Sequence, residues 1–397
     1  PESYRAPPTL ESLPASVLDI IFGHVITHNH TSSRERILPL GRVSLKMCDH
    51  VNRFLYYHVS LHNPRSFDKL VSTLLTSTSS IAPLIRSFSY TAPGEFTPRA
   101  PSGYLPSDMT PILAHLPTIL HLCPNIHTLV LENLNDISRK DWEHLFPASA
   151  VALQSLRRFS WSYYSGWRRG RNFSRVWFPV LARCPYLTDV RVANCVIDPL
   201  AVDSPSLVNS KPFLHVRNLS LENICWSMQD MDAFAPLFPN VELLDLKTIK
   251  VFPYPTSSHH PLLSMFKNLR ALSIDCASRI LSPNHHICSF LAPSLRNSLE
   301  YLSISGGCSL CPSFFNNLHV PSLTIHLSQL RVCGGFENVR ALNDAIIAYV
   351  HDNDAQLGRV LIEAPSLAVV DRRDINHGGE TDIGRQGVWT FADIDRR

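Results

Sequence analysis

Three stretches decide the fold: Leu187-Thr188-Asp189-Val190-Arg191-Val192, Val216-Arg217-Asn218-Leu219-Ser220-Leu221 and Val241-Glu242-Leu243-Leu244-Asp245-Leu246. In each, apolar residues stand at the first, fourth and sixth positions, and polar residues alternate with them at the end. Strict alternation is the period of a strand with one buried face. The pattern recurs to either side as Ile126/Leu129/Leu131, Leu156/Phe159/Trp161, Leu269/Leu272/Ile274, Leu299/Leu302/Ile304 and Leu327/Leu330/Val332.

Successive middle anchors of these triplets are 25 to 31 residues apart. The segments between them carry helix signals. Ser138 with Asp141, and Ser227 with Asp230, have capping-box spacing ahead of apolar positions. Cys123-Pro124, Cys184-Pro185 and Phe238-Pro239 each stop a helix before the next strand, because proline cannot continue the ladder of a helix interior. One strand and one helix per repeat make an α/β leucine-rich-repeat solenoid, a curved parallel sheet with outer helices.

An early repeat lies at Ile85/Phe88/Tyr90, and the stretch from Thr91 to Pro117, with six prolines, reads as an irregular insertion. From about residue 337 a cap is expected, with Val339, Leu342, Ile346 and Tyr349 on one helical face and a strand over Arg359 to Glu363. After Asp371 the tail is polar. The organisation is therefore a tail over 1–12, a helical domain over 13–62, and repeats over 63–397.

The helical domain follows a different rule from the repeats. Leu13, Val17 and Ile21 fall in one helical column and Leu18, Phe22 and Val25 in the next, with Pro14 placed for a first turn. A second apolar block runs from Ile37 to Leu55. About 50 residues bury little surface alone, so apolar faces are expected to remain for a partner. Leu13-Pro14-Ala15-Ser16-Val17-Leu18-Asp19-Ile20-Ile21-Phe22, Leu40-Gly41-Arg42-Val43-Ser44 and Phe54-Leu55-Tyr56-Tyr57-His58-Val59-Ser60-Leu61 closely resemble an F-box, as found in fungal F-box proteins with divergent leucine-rich repeats. Cys184-Pro185-Tyr186-Leu187 and Asn194-Cys195 resemble the cysteine-containing repeats of such proteins.

This resemblance implies a substrate receptor of an SCF-type cullin-RING ubiquitin ligase, whose F-box docks on a Skp-type adaptor and whose repeats hold the protein to be ubiquitinated. Carried onto this chain, Leu13, Pro14, Val17, Leu18, Ile21, Phe22 and Val43 would contact the adaptor or support that contact. A repeat scaffold or inhibitor with no ubiquitin role is the alternative. Three sequons, at Asn29, Asn172 and Asn218, raise a secreted ectodomain as a third class, which the absence of a signal-like start disfavours.

Composition narrows the chemistry. Thirty-six basic against 33 acidic residues give +3, and charged residues are 17% of the chain against the usual ~25%. Neither nucleic acid nor a membrane surface is advertised, and no apolar run approaches the ~18 residues of a span. Glycine is scarce at 15 of 397, and neither G-x-G-x-x-G nor G-x-x-x-x-G-K-[ST] occurs, so no nucleotide cofactor is indicated. The ten cysteines are too dilute for a disulfide scaffold, which places the chain in a reducing cytosol or nucleus.

Client recognition should use side chains that alternate with the anchors. The candidates are Arg158, Ser160, Arg191, Ser220, Ser273 and Ser303, joined by Arg168, Arg169 and Arg171 from the basic-aromatic run between Trp161 and Trp177. Arginine clusters of this kind suit acidic or phosphorylated peptides. Cys308-x-x-Cys311 is a single pair in a loop after the Ile304 strand. His319 and His326 are seven positions apart, beyond zinc spacing, so no metal site is assigned. No catalytic motif such as G-x-S-x-G or H-E-x-x-H is present, and a non-catalytic receptor is expected.

Overall fold

A computed structural model describes residues 13–27, 38–76, 81–92, 110–134, 143–147, 151–163, 180–195, 212–226, 234–247, 250–251, 266–276, 299–309, 314–315, 318, 320, 322–333, 341–342, 344–345, 348–349, 359–364, 367–370 and 389–390. It is an α/β leucine-rich-repeat solenoid built on parallel strands, one to a repeat. The chain divides into two compact units, Pro1–Phe159 with Arg183–Tyr186 and Ser160–Ala182 with Leu187–Arg397.

In the first unit, helices α1 (Ala15–Thr27) and α2 (Leu45–Tyr57) pack on each other. Leu18 and Phe22 of α1 meet Met47 and Val51 of α2 in a small core, with Leu13, Leu40, Phe54 and Leu55 around it. Pro14 stands just before α1, where its carbonyl accepts from the amides of Val17 (3.0 Å) and Leu18 (3.1 Å). Ser44 caps α2, its hydroxyl accepting from the Met47 amide at 3.2 Å. The half-exposed Asp19 carboxylate ties α1 to the buried His50 of α2 at 3.0 Å.

The parallel sheet begins at β1 (His58–Leu61), inside the residues that read as part of the helical domain. Val59 and Leu61 pair in register with Phe88 and Tyr90 of β2 (Ser87–Thr91), which in turn pair with Leu129 and Leu131 of β3 (Thr128–Leu134). All six side chains are buried. Tyr56, Val59 and Leu61 have the same one-four-six spacing as the other anchors. Helices α3 (Arg65–Thr76) and α4 (Thr110–Leu122) pack on each other, and Phe67 of α3 meets Phe88 at a tilt and Tyr90 edge-on.

Helix α4 corrects the reading of 91–117 as irregular throughout. Residues 93–109 lie outside the described ones, but Thr110 to Pro117 is helical and Pro117 sits inside the helix. An interior proline leaves the carbonyl four residues earlier without its amide. That carbonyl is Leu113, and Nε2 of His144 donates to it at 3.2 Å. A side chain from the next repeat thus satisfies the group that the proline orphans. The helix ends before Cys123-Pro124, as its proline requires.

In the second unit β5 (Asp189–Ala193), β6 (Asn218–Glu222), β8 (Leu243–Lys247), β10 (Ala271–Cys276), β11 (Tyr301–Ser309), β12 (Ser322–Cys333) and β13 (Arg359–Ala364) pair in sequence, all parallel. Val190, Leu219, Leu244, Leu272, Leu302 and Leu323 form one buried row, and Val192, Leu221, Leu246, Ile274, Ile304 and Ile325 the next. Between them, β7 (Cys225–Trp226) pairs with β9 (Lys250–Val251) as a separate two-stranded ribbon. Strand β4 (Arg158–Tyr163) spans the division between the units, β14 (Leu367–Val370) pairs with the end of β12, and β15 (Trp389–Thr390) runs antiparallel to β13.

Two expectations are corrected here. The last triplet is Val320/Leu323/Ile325 and not Leu327/Leu330/Val332: Leu323 and Ile325 pair with Leu302 and Ile304, only 21 residues on. Both sets have anchor spacing and, Val320 apart, lie within one long strand, and the neighbouring strand selects the earlier one; Leu330 and Val332 pair instead with Cys308 on β11 and with β14. Cys308 accordingly lies on a strand and not in a loop, while Cys311 is outside the described residues. Phe238-Pro239 ends a short 3-10 helix, Ala235–Leu237. The segments of both capping boxes lie outside the described residues. In the C-terminal cap, Leu342 and Tyr349 are buried, and the Tyr349 hydroxyl donates to the Val320 carbonyl at 3.1 Å.

Asparagines hold repeats together at both ends of the strands. Asn240 and Asn268 precede first anchors and donate to the carbonyls of Leu214 (2.9 Å) and Pro239 (3.1 Å), one repeat back. Asn194 and Asn223 follow strands with φ of 58° and 49°, a left-handed conformation that asparagine tolerates better than most residues. Asn194 donates to the Tyr163 carbonyl at 2.8 Å, and Asn223 donates to the Asn194 side-chain oxygen at 2.7 Å. Asn194→Ala loses these bonds and strains the backbone, so a loss of about 1–3 kcal/mol is expected in urea unfolding. Asn194→Gly, which keeps the backbone conformation, should lose less.

Candidate functional site

The side chains opposite the buried rows form the outward face of the sheet. In the second unit one outward row runs, in backbone register, through Arg191, Ser220, Asp245, Ser273, Ser303 and Thr324. Four of the sequence candidates, Arg191, Ser220, Ser273 and Ser303, are thereby brought into a single line across five strands. Their alternation with the anchors sufficed to find them. Ser160 of this unit and Arg158 of the first unit both lie on β4, Ser160 half-buried and Arg158 exposed. Arg168, Arg169 and Arg171 lie outside the described residues.

Several charged side chains of this face pair with one another. Arg191 is paired with Glu222 at 2.7 Å, on the neighbouring strand. Asp189 accepts from the Asn218 amide nitrogen at 2.7 Å, and Asp245 accepts from the Ser220 hydroxyl at 3.2 Å and pairs with Lys247 at 3.1 Å. The outward positions of β5 to β10 thus carry four carboxylates, Asp189, Glu222, Asp245 and Asp275, against the two cations Arg191 and Lys247. Periodicity reveals which residues face outward. It does not reveal that Arg191 is already neutralised, because its partner stands 31 residues away.

Along the edge where the strands begin, Arg217, Glu242, Arg270 and Glu300 succeed one another through backbone hydrogen bonds from each to the one before. Arg217 pairs with Glu242 at 2.7 Å, and Arg270 grips Glu300 at 2.6 and 2.9 Å through one nitrogen and at 2.8 Å through another. The hydrogen bond to Glu300 raises the Arg270 pKa further. Among the described residues of the unit this edge neutralises itself, while the outward face carries more carboxylates than cations.

In the helical domain, the residues assigned to the adaptor separate into two sets. Leu18 and Phe22 are buried in the core between α1 and α2, with Leu13 partly buried beside them. They can support a partner's contact but do not present a surface for one. Pro14, Val17, Ile21 and Val43 are exposed, and Ile20, Leu38 and Leu45 extend the exposed apolar set to 72%, 52% and 88% of their surfaces.

Elsewhere in the first unit, His127 lies with its Nε2 3.5 Å from an Arg86 guanidinium nitrogen. Its pKa falls below the ordinary 6.5, through loss of hydration and then through repulsion by Arg86 and Arg157. A histidine whose pKa is lowered by folding binds its proton more readily unfolded, so stability is full above pH 6.5 and declines as pH falls below it. His127→Gln should flatten that decline in thermal melts between pH 7 and pH 5.

No family model matches the chain, and none of the curated proteins does. Among solved structures it is similar to the leucine-rich-repeat-containing protein LegL7 of Legionella pneumophila, at 12% identity over 80% of this chain and 91% of that one, with a TM-score of 0.37. It is also similar to the internalin inlF of Listeria monocytogenes, at 12% identity over 95% of this chain and 100% of that one, TM-score 0.38. A chain of the mouse RP105/MD-1 complex matches at 14% identity over 72% of this chain and 47% of that one, TM-score 0.38.

Proposed function

We propose that this chain is the substrate-recognition subunit of an SCF-type cullin-RING ubiquitin ligase, with the helical domain docking a Skp-type adaptor and the repeats binding the protein to be ubiquitinated. The observation that carries the reading is the helical domain itself. It spends Leu18, Phe22, Met47 and Val51 on a private core while leaving Val17, Ile20, Ile21, Val43 and Leu45 exposed. So many large apolar residues on so small a unit call for a partner surface, since each left in water forgoes its burial energy. The resemblance of residues 13 to 61 to an F-box supplies the identity of that partner.

The repeats support the coarser half of the reading, a protein-interaction scaffold with no catalytic role of its own. Their anchors are consumed by the core, and their outward row is polar, with small side chains at Ser220, Ser273, Ser303 and Thr324 that leave room for a guest. The cysteines support a reducing compartment, cytosol or nucleus: burial pushes the Cys123 and Cys184 thiols up to about 12, so they behave as inert core groups.

Co-purification with a Skp-type adaptor tests the reading. The wild-type chain should retain the adaptor, and Val17→Asp combined with Val43→Asp should lose it while keeping its far-UV circular dichroism, because an unpaired carboxylate buried in an apolar interface costs several kcal/mol. A folded wild-type chain that does not bind the adaptor leaves the repeat scaffold or inhibitor as the function.

A further inference from the structure

We propose that the outward face over β8, β10 and β11 binds a basic, amphipathic segment of a client protein, in which an aliphatic side chain seats over Ala271 and flanking lysine or arginine side chains reach Asp245 and Asp275. This inference rests on the part of the functional reading that gives the repeats a client, and it is independent of the adaptor.

The apolar half of the surface is set by register. Leu243, Ala271 and Tyr301 are direct partners across the three strands. Leu243 and Tyr301 are exposed over 40% and 39% of their surfaces. They stand two strand spacings apart, roughly 9–10 Å. Ala271 lies between them with only a methyl group, so the two large side chains wall a gap of about the width of one aliphatic side chain.

The polar half adjoins it. Two residues further along the same strands come Asp245, Ser273 and Ser303, and two beyond those Lys247, Asp275 and Ser305. Asp245 accepts from Ser220 and Lys247 through Oδ2, while its Oδ1 is buried with no hydrogen-bond partner among the described residues. Asp275 lies beside Lys247 across the strands, so this patch holds two carboxylates and one ammonium. An acidic or phosphorylated guest would meet repulsion here; a basic one meets complementary charge. An extended segment crossing the strands advances about 10 Å in three residues, which is the Leu243-to-Tyr301 span.

Fluorescence anisotropy of the full chain with labelled twelve-residue peptides tests this. The probe is (Ser-Leu-Lys)4, with (Ser-Leu-Glu)4 and (Ser-Gly-Lys)4 as controls. The probe should bind at least tenfold more tightly than either control. Asp245→Asn with Asp275→Asn, and separately Ala271→Trp, which fills the gap from the solvent side, should each weaken it at least tenfold while leaving the thermal melt in place. Equal binding of the glutamate peptide, no binding of the lysine peptide, or variants that bind as wild type would overturn the proposal. Adaptor co-purification measured on the same variants should be unchanged. For the wild-type chain, no peptide binding with the adaptor retained rejects this surface alone, and peptide binding without adaptor binding rejects the ligase reading alone.

Discussion

Phe22→Asp should unfold the N-terminal helical domain, whereas Val17→Asp, five residues earlier on the same helix, should leave it folded. Phe22 is 1% exposed, packs with Leu18, Met47 and Val51, and lies 5.7 Å ring to ring from Phe54. Among the described residues those four are the buried members of this core cluster, and an ionised carboxylate placed among them would meet only apolar neighbours. The cost is several kcal/mol. Hydrogen exchange read over Leu45–Tyr57 distinguishes the two variants: protection should collapse in Phe22→Asp and persist in Val17→Asp. Persisting protection in Phe22→Asp would show that α1 and α2 do not share this core. Adaptor binding should be lost in both, for different reasons.

Leu244→Ala should destabilise the repeats by about 2–5 kcal/mol in urea unfolding, while Ser273→Ala, on the outward face of the next strand, should stay within about 0.5 kcal/mol. Leu244 is fully buried and pairs in register with Leu219 on one side and Leu272 on the other. A repeat has no private core, so the cavity left by truncation belongs to three strands at once. Amide protection over β6, β8 and β10 should therefore fall together. Loss confined to β8 would show that the repeats are energetically independent.

Much of this was legible in the residues alone. Seven of the eight anchor triplets first assigned to the regular array, and the early repeat at Ile85/Phe88/Tyr90, fall on buried positions. Burial of every second side chain is a local consequence of strand geometry and needs no knowledge of the partner strand. The outward row was legible for the same reason. So was the end of α4 at Cys123-Pro124, because the effect of proline on a helix is confined to one turn.

What tertiary structure decided is whatever depends on the neighbour. Two triplets follow one another between Val320 and Val332, and only pairing with Leu302 and Ile304 chooses between them. Pro117 reads as a helix breaker until His144 supplies the bond that the helix lacks. Val17 and Phe22 look alike in an apolar helix, and only the packing of α2 makes one a surface and the other a core. Arg191 reads as an open cation until Glu222, from the following repeat, neutralises it. Sequence period thus determined which way each side chain points, since that is fixed by backbone geometry within a few residues; which of them remain available for function was decided by contacts about a full repeat away, which no local pattern encodes.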